Sequence, residues 1–462
     1  MNRIIATVLL LLPVVSRGDQ AQSFPPPAPA SDPKTLGVGV QRTLTLLATS
    51  TPEKRNKVRI LFYGQSITEQ DWSKQVADDL RRRFPNADLE IENRAIGGFA
   101  SQLLIKSAEQ DLYPFYPDLL IFHVYGGNQE YDEIIKNARS RATAEVLMQK
   151  DHVTQWPPEK ADPSVDKGMW WDHMMNHVFL PEIAKKYGCT LLDVRGPWLD
   201  YLRTNKLEPK ALLKDGVHLN DHGNFLMAEL VKRHLVHRPD LPAGGDKDAV
   251  LTRELGAVVQ ADTALKIPFD GNRIDMIAGQ AGSGSISVLI DGKRPSEIVP
   301  DLFRATRPSP GPWSPLTVIK VGKLAHRVAE DWTIKITSVT PDSKDWTYDL
   351  TGSLTGPDGS GRGSQTLVSN SSRVRIGADS WFRNGAVPVG HEIRWKVVPM
   401  FADRYETPKT LDPSREAVTT LAQGLPNGPH LLELHHLSGA PVSVRAVRIY
   451  RPAVGREAGV SR

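Results

Sequence analysis

The sequence predicts an α/β domain on a parallel sheet, followed by an all-β sandwich, and three observations carry this. From about residue 51 to 240, short apolar runs alternate with stretches of helical period, the pattern of βαβ units. At Pro239-Asp240-Leu241-Pro242-Ala243-Gly244-Gly245 the composition turns to Pro and Gly, which marks a boundary. Beyond it, over 246–455, runs of period two are separated by turn residues, and helical periodicity is scarce. A chain of 462 residues is too long for one ordinary core, so two domains are expected.

Asn2-Arg3, an apolar run over 4–15 and small polar residues after it read as an export signal, assigned to 1–22. The run is too short to span a bilayer stably, so cleavage and no stable membrane anchor are expected. No cysteine lies near it to carry a lipid, and the expected location is secreted or periplasmic. Phe24-Pro25-Pro26-Pro27-Ala28-Pro29 opens a stiff linker over 23–50.

In the first domain, residues 58–63 read as a buried strand. Trp72, Val76, Leu80 and Phe84 recur every four residues, on one helix face, and Thr68-Glu69-Gln70-Asp71 reads as a capping box at its start. Residues 89–92 form a shorter strand, 103–112 a helix, 117–124 a strongly buried strand, and 130–144 a charged helix. Residues 146–148 form a strand, 172–187 a helix, 190–194 a strand and 222–236 the last helix. Ligands of such sheets bind beyond the carboxyl ends of the strands.

In the second domain the strands are expected at 286–290, 332–336, 373–376, 393–397, 430–435 and 442–450. Asp291-Gly292 is a hairpin signal, and the Gly- and Ser-rich stretch 352–372 reads as an exposed loop.

A net charge of +4 is small for this length, and Arg81-Arg82-Arg83 reads as a polar helix face, so nucleic acid is excluded as a partner. The single cysteine, Cys189, excludes an intrachain disulfide and reads as a small core residue.

The chemistry lies at strand ends. Ser66, in Gly64-Gln65-Ser66-Ile67-Thr68, follows the first strand. A serine hydroxyl is a weak nucleophile until a base takes its proton, and its reaction needs donors for the oxyanion. Gly98, in Asn93-Arg94-Ala95-Ile96-Gly97-Gly98, follows the second strand with a bare backbone N–H. Asn128, in Gly126-Gly127-Asn128, follows the third and offers either an amide donor or a helix cap. Asp215-Gly216-Val217-His218-Leu219-Asn220 lies before the last helix, and its three-residue gap lets the carboxylate reach the imidazole.

In order and spacing these four blocks resemble the SGNH hydrolase superfamily, the GDSL-type esterases, over roughly 58–237. The resemblance implies a three-layer α/β/α fold at 51–240, no cofactor, and ester hydrolysis through an acyl-enzyme; separately, no metal site is expected. It implies Ser66 as nucleophile, His218 as base and Asp215 as its orienter. It also implies an oxyanion hole of Ser66 N–H, Gly98 N–H and the Asn128 amide. Two positions depart from the family: Gln65 stands where an Asp is usual, and Gln129 where Asp is frequent. The Gly-x-Ser-x-Gly elbow of α/β-hydrolases is absent.

Gln65, Gln129 and His152 are candidates to line the pocket, with a satisfied structural histidine as the alternative for His152. Trp156, Trp170 and Trp171 are candidates for packing or for stacking on sugar. His173 and His177 stand four apart but lack a third ligand. The region 246–455 resembles the jelly-roll modules that accompany carbohydrate esterases. With export, this points to an O-acetyl esterase acting on an acylated carbohydrate or another small ester. The rivals are a lipase or lysophospholipase of the same superfamily, and a carbohydrate-binding protein with an inactive hydrolase-like domain.

Overall fold

The computed structural model describes residues 24–241, 248–298, 302–305, 314–325 and 327–454. The export signal read at 1–22 lies outside the described residues.

Five strands form one parallel sheet: β1 (Lys57–Gly64), β2 (Asp88–Asn93), β3 (Leu119–His123), β4 (Glu145–Gln149) and β5 (Thr190–Leu192). Their order is β2-β1-β3-β4-β5. The chain steps from β1 to one side for β2, then crosses to the other for β3, which opens a crevice at the carboxyl end of the sheet.

Among the described residues, nine α-helices accompany it: α1 (Gln41–Ala48), α2 (Ser66–Glu69), α3 (Asp71–Arg83), α4 (Ser101–Asp111), α5 (Asn128–Arg141), α6 (Lys167–Met174), α7 (Leu180–Tyr187), α8 (Arg195–Thr204) and α9 (Asp221–Lys232). Alternate strand residues feed two cores. Ile60, Phe62 and Ile121 pack with Trp72, Val76 and Leu80 of α3, Trp198 of α8 and Leu226 of α9. Leu61, Tyr63, Leu120 and Phe122 pack on the other face with Leu104 of α4, Ile134 of α5 and Ile183 of α7. The period-two strand pattern thus becomes a three-layer α/β/α stack, as the sequence predicts.

Several local expectations change. Residues 24–50 pack on the first domain instead of standing off it as a linker. Phe24 stacks on His222 at 4.1 Å, Pro25 O accepts from the Tyr201 hydroxyl, and Leu44 and Leu47 of α1 are fully buried. The first N–H groups of α1 donate to Glu145 of β4, a cap from 103 residues away. The capping box at Thr68–Asp71 does not form: α3 is entered through Gln70 without a side-chain cap, and Thr68 Oγ1 donates instead to His123 O. The helix expected over 172–187 starts at Lys167 and contains a π-turn at Met175–Phe179. Pro181, in the first turn of α7, has no N–H to give the carbonyl four residues back.

The second region is antiparallel. A six-stranded sheet runs in the order Arg404–Glu406, Ser285–Ile290, Val418–Ser438, Ala264–Ala278, Val442–Tyr450, Val250–Val259. A five-stranded sheet runs Gly356–Arg362, Trp346–Gly352, Asp331–Val339, Glu392–Val398, Leu302–Ala305. Each has its own apolar cluster, one around Ile274, Val288 and Leu432, the other around Trp332, Tyr348 and Trp395. The five-stranded unit is inserted between two paired strands of the six-stranded one, since Ser287 pairs with Arg404. The Asp291-Gly292 turn closes only an Ile290–Lys293 bridge and leads to the short helix Pro295–Ile298, not to a second long strand. Gly356–Arg362 lies in the stretch expected as a loop, and pairs with Trp346–Gly352. The Tyr348 ring lies where a Gly361 Cβ would stand, 2.5 Å away, so the aromatic covers the strand that the glycine leaves bare.

Both the six-stranded sheet and the inserted unit meet the first domain. The Tyr116 hydroxyl donates to Asn272 Oδ1 (2.8 Å), and Tyr116 packs edge-on against Tyr450 with Arg273 over both rings. Gln110 of α4 donates to Ile319 O (2.8 Å), and Phe99 packs against Phe382 of the inserted unit at 4.7 Å.

Candidate active site

Three consecutive hydrogen-bonded groups lie at the carboxyl edge of the parallel sheet. Ser66 is the first residue of α2, directly after β1. Gly64 ends β1 against β3, where a Cβ would sit 2.0 Å from His123 O; any larger residue would push the Ser66 turn off the sheet. Ser66 Oγ is 2.9 Å from His218 Nε2, and His218 Nδ1 is 2.9 Å from Asp215 Oδ2. An ionised carboxylate only accepts, so the His218 proton sits on Nδ1, and Nε2 is the acceptor facing the hydroxyl. Asp215 Oδ1 also accepts the backbone N–H groups of His218 (2.7 Å) and Val217 (2.8 Å). Those two N–H groups, with the His218 ring, hold the Asp215 carboxyl well below the usual carboxylate range. The aspartate is thus charged and fixed in place although it is half exposed.

Residues that the motifs did not reveal join the two halves. The Gln70 amide bonds Leu219 twice, donating Nε2–H to its carbonyl (2.8 Å) and accepting its N–H at Oε1 (3.0 Å). Trp72 N–H donates to Asn224 Oδ1 on α9 (3.1 Å). The turn beside Ser66 is thereby tied to the chain on both sides of Leu219.

Gly98 and Asn128 stand on the neighbouring loops of the same edge. Ile96 N–H donates to Gly64 O (2.9 Å), which pins the loop after β2 to the end of β1. A side chain at Gly97 would begin 3.7 Å from Ser66 Cβ, and Gly98 is exposed with φ +78°. Ser101 Oγ–H donates to Gly127 O (2.8 Å), joining that loop to the one after β3. Gly127, not Asn128, is the cap of α5; Asn128 is its first residue and is exposed. Gln65 is half-buried and Gln129 exposed. His152 is 1% exposed, so it lies beneath the site instead of lining an open pocket; the loop bearing Val217 covers it.

Trp171 is 40% exposed and packs edge-on against Tyr125, two residues before Gly127. Trp156 is exposed and donates to Glu208. His173 and His177 lie ring to ring at 4.8 Å, and among the described residues no His, Cys, Asp or Glu cluster could hold a metal ion. Burial pushes the Cys189 thiol up to about 12, so it is unreactive at neutral pH. A cavity of about 620 Å³ lies near Lys57, Asp88 and Asp118, at the opposite end of the strands from Ser66.

No family model matches the chain, and no curated protein matches it. Solved structures do. A two-domain esterase active on acetylated mannans is 13% identical over 91% of this chain and 98% of its own, with a TM-score of 0.34. Acetylxylan esterase Axe2 from Geobacillus stearothermophilus is 17% identical over 40% of this chain and 97% of its own, with a TM-score of 0.34. A putative GDSL-like lipase from Parabacteroides merdae is 16% identical over 39% and 97%, with a TM-score of 0.33. The chain is similar to GDSL-like and acetyl esterases.

Proposed function

We propose that the protein is a serine esterase that removes acyl groups, O-acetyl foremost, from a carbohydrate. The observation that carries this reading is the unbroken chain Ser66 Oγ–His218–Asp215, with both contacts at 2.9 Å. As Ser66 Oγ attacks the ester carbonyl, its proton passes to His218 Nε2, and Asp215 stabilises the resulting imidazolium. The oxyanion is met by the N–H groups of Ser66 and Gly98 and the amide of Asn128. His218 then gives its proton to the leaving sugar oxygen. Water, deprotonated by the same ring, adds to the acyl carbon; the bond to Ser66 Oγ then breaks, His218 returns the proton to that oxygen, and the acid leaves.

Three features support a carbohydrate as the alcohol. The triad opens to solvent, with the His218 side chain 34% and that of Asp215 50% exposed, which leaves room for a bulky leaving group. Trp171 and Tyr125 put aromatic faces near the Asn128 loop. The export signal at 1–22 would deliver the enzyme to polymers outside the cytoplasm. Acetate release across a panel of acetylated glycans, with His218→Ala as control, tests the proposal. Turnover of long-chain acyl esters with no acetate from any glycan would sink it.

A further inference from the structure

Beneath the turn that carries Asp215 and His218 lies a second, buried aspartate–histidine cluster. Asp151 and His152 follow β4 and are 4% and 1% exposed. Asp151 Oδ1 receives two rings: His152 Nδ1 at 2.9 Å, and His123 Nε2, from the end of β3, at 3.0 Å. His152 Nε2 is 2.8 Å from the carbonyl of Val217, and Val217 lies between Asp215 and His218.

Both atoms that face the His152 ring are acceptors. A backbone carbonyl can only accept, so Nε2 carries a proton. An ionised carboxylate can only accept, so Nδ1 carries one too. Burial alone would raise the Asp151 carboxyl; the two imidazole donors outweigh it and hold the group down at about 2, so it is ionised at neutral pH. A neutral imidazole has one N–H and would leave one of these contacts acceptor to acceptor.

We propose that His152 is a doubly protonated imidazolium that grips the Val217 carbonyl and so positions the Asp215–His218 turn against Ser66. It is a positioning residue that acts through His218, and the inference rests on the reading of His218 as the base. Val217 is held from both sides: its N–H goes to Asp215 Oδ1 (2.8 Å) and its carbonyl to His152. The other charged groups around the ring are already paired. Arg195 of α8 donates to His152 O (3.3 Å) and forms an ion pair with Asp172 of α6. Trp198 of α8 closes the remaining side, with ring centroids 5.5 Å apart. The cation is thus enclosed with Asp151 as its counter-charge, and its loss removes the side-chain donor that holds the Val217 carbonyl.

The experiment is imidazole nitrogen NMR on the full chain with ¹⁵N-labelled histidine, paired with kinetics. His152 is expected to show both nitrogens protonated at neutral pH, assigned by their loss in His152→Gln. His152→Ala is expected to lower kcat on the order of 100-fold with KM little changed, the cost of a base displaced by about 1 Å. His152→Gln keeps a donor for the Val217 carbonyl, so it should recover part of kcat. A His152 with one bare nitrogen at neutral pH, or a His152→Ala protein with full kcat, overturns the proposal. A wild type that turns over no ester but shows a doubly protonated His152 overturns the esterase reading and leaves the grip on Val217 standing.

Discussion

His218 and His152 each bond an aspartate through Nδ1, at 2.9 Å in both cases. They differ in what the other nitrogen faces. For His218 it is a hydroxyl, which can give up its proton; for His152 it is a carbonyl, which has none. They differ also in access, with the His218 side chain 34% exposed and that of His152 fully buried. On the readings proposed above, the same pair of residue types makes a base in one place and a fixed cation in the other. The partner of the second nitrogen sets the role, and the aspartate serves both.

The largest expected effect is at the atom that only the exposed pair serves. Ser66→Ala should lower kcat on the order of 10⁶-fold and abolish labelling by a fluorophosphonate probe; retained labelling would move the nucleophile elsewhere. The two aspartates separate next. Asp215→Asn should cost about 10⁴-fold in kcat, since the amide no longer fixes the tautomer. Asp151→Asn, acting one step removed, should cost about 100-fold. Equal losses in the two asparagine variants would erase the distinction between the pairs.

Asn128→Ala follows, with kcat down about 10²- to 10³-fold and KM nearly unchanged, read from steady-state kinetics on an acetyl ester. The smallest effect is on stability in acid. The Asp151 carboxyl titrates at about 2 in the folded protein, below its unfolded value of about 4. Its contribution is therefore fully present above about pH 4 and is lost as pH falls towards 2. Thermal melts between pH 5 and 2 should show a steeper acid loss for wild type than for Asp151→Asn, and parallel curves would contradict it.

The sequence made the periodic parts legible. Trp72, Val76 and Leu80 announce α3, and all three are fully buried. The four motif blocks could be placed at strand ends because strand and helix periods are local. What it hid was non-local. The helix α1 takes its cap from Glu145, so nothing beside it marks its start. Gln70 sits where a capping box seemed to belong, but its amide is spent on Leu219, 149 residues on. The strand Gly356–Arg362 reads as loop because its cover, Tyr348, comes from its partner. His152 was visible as a histidine after a strand; its two acceptors, one of them a main-chain carbonyl 65 residues away, were not.

Residues 291–403 leave the six-stranded sheet after Ser285–Ile290 and return at Arg404–Glu406, and these strands are hydrogen-bonded neighbours, with Val288 N–H already donating to Asp403 O (2.9 Å). The excursion therefore begins and ends at one spot, like a cassette in a slot. A short hairpin turn joining Ile290 to Asp403 would excise it without moving either strand. The shortened chain would keep the Tyr116–Asn272 contact and lose the Phe382 ring beside Phe99, so the excursion's influence on the neighbouring Gly98 can be measured as the difference between two otherwise identical frames.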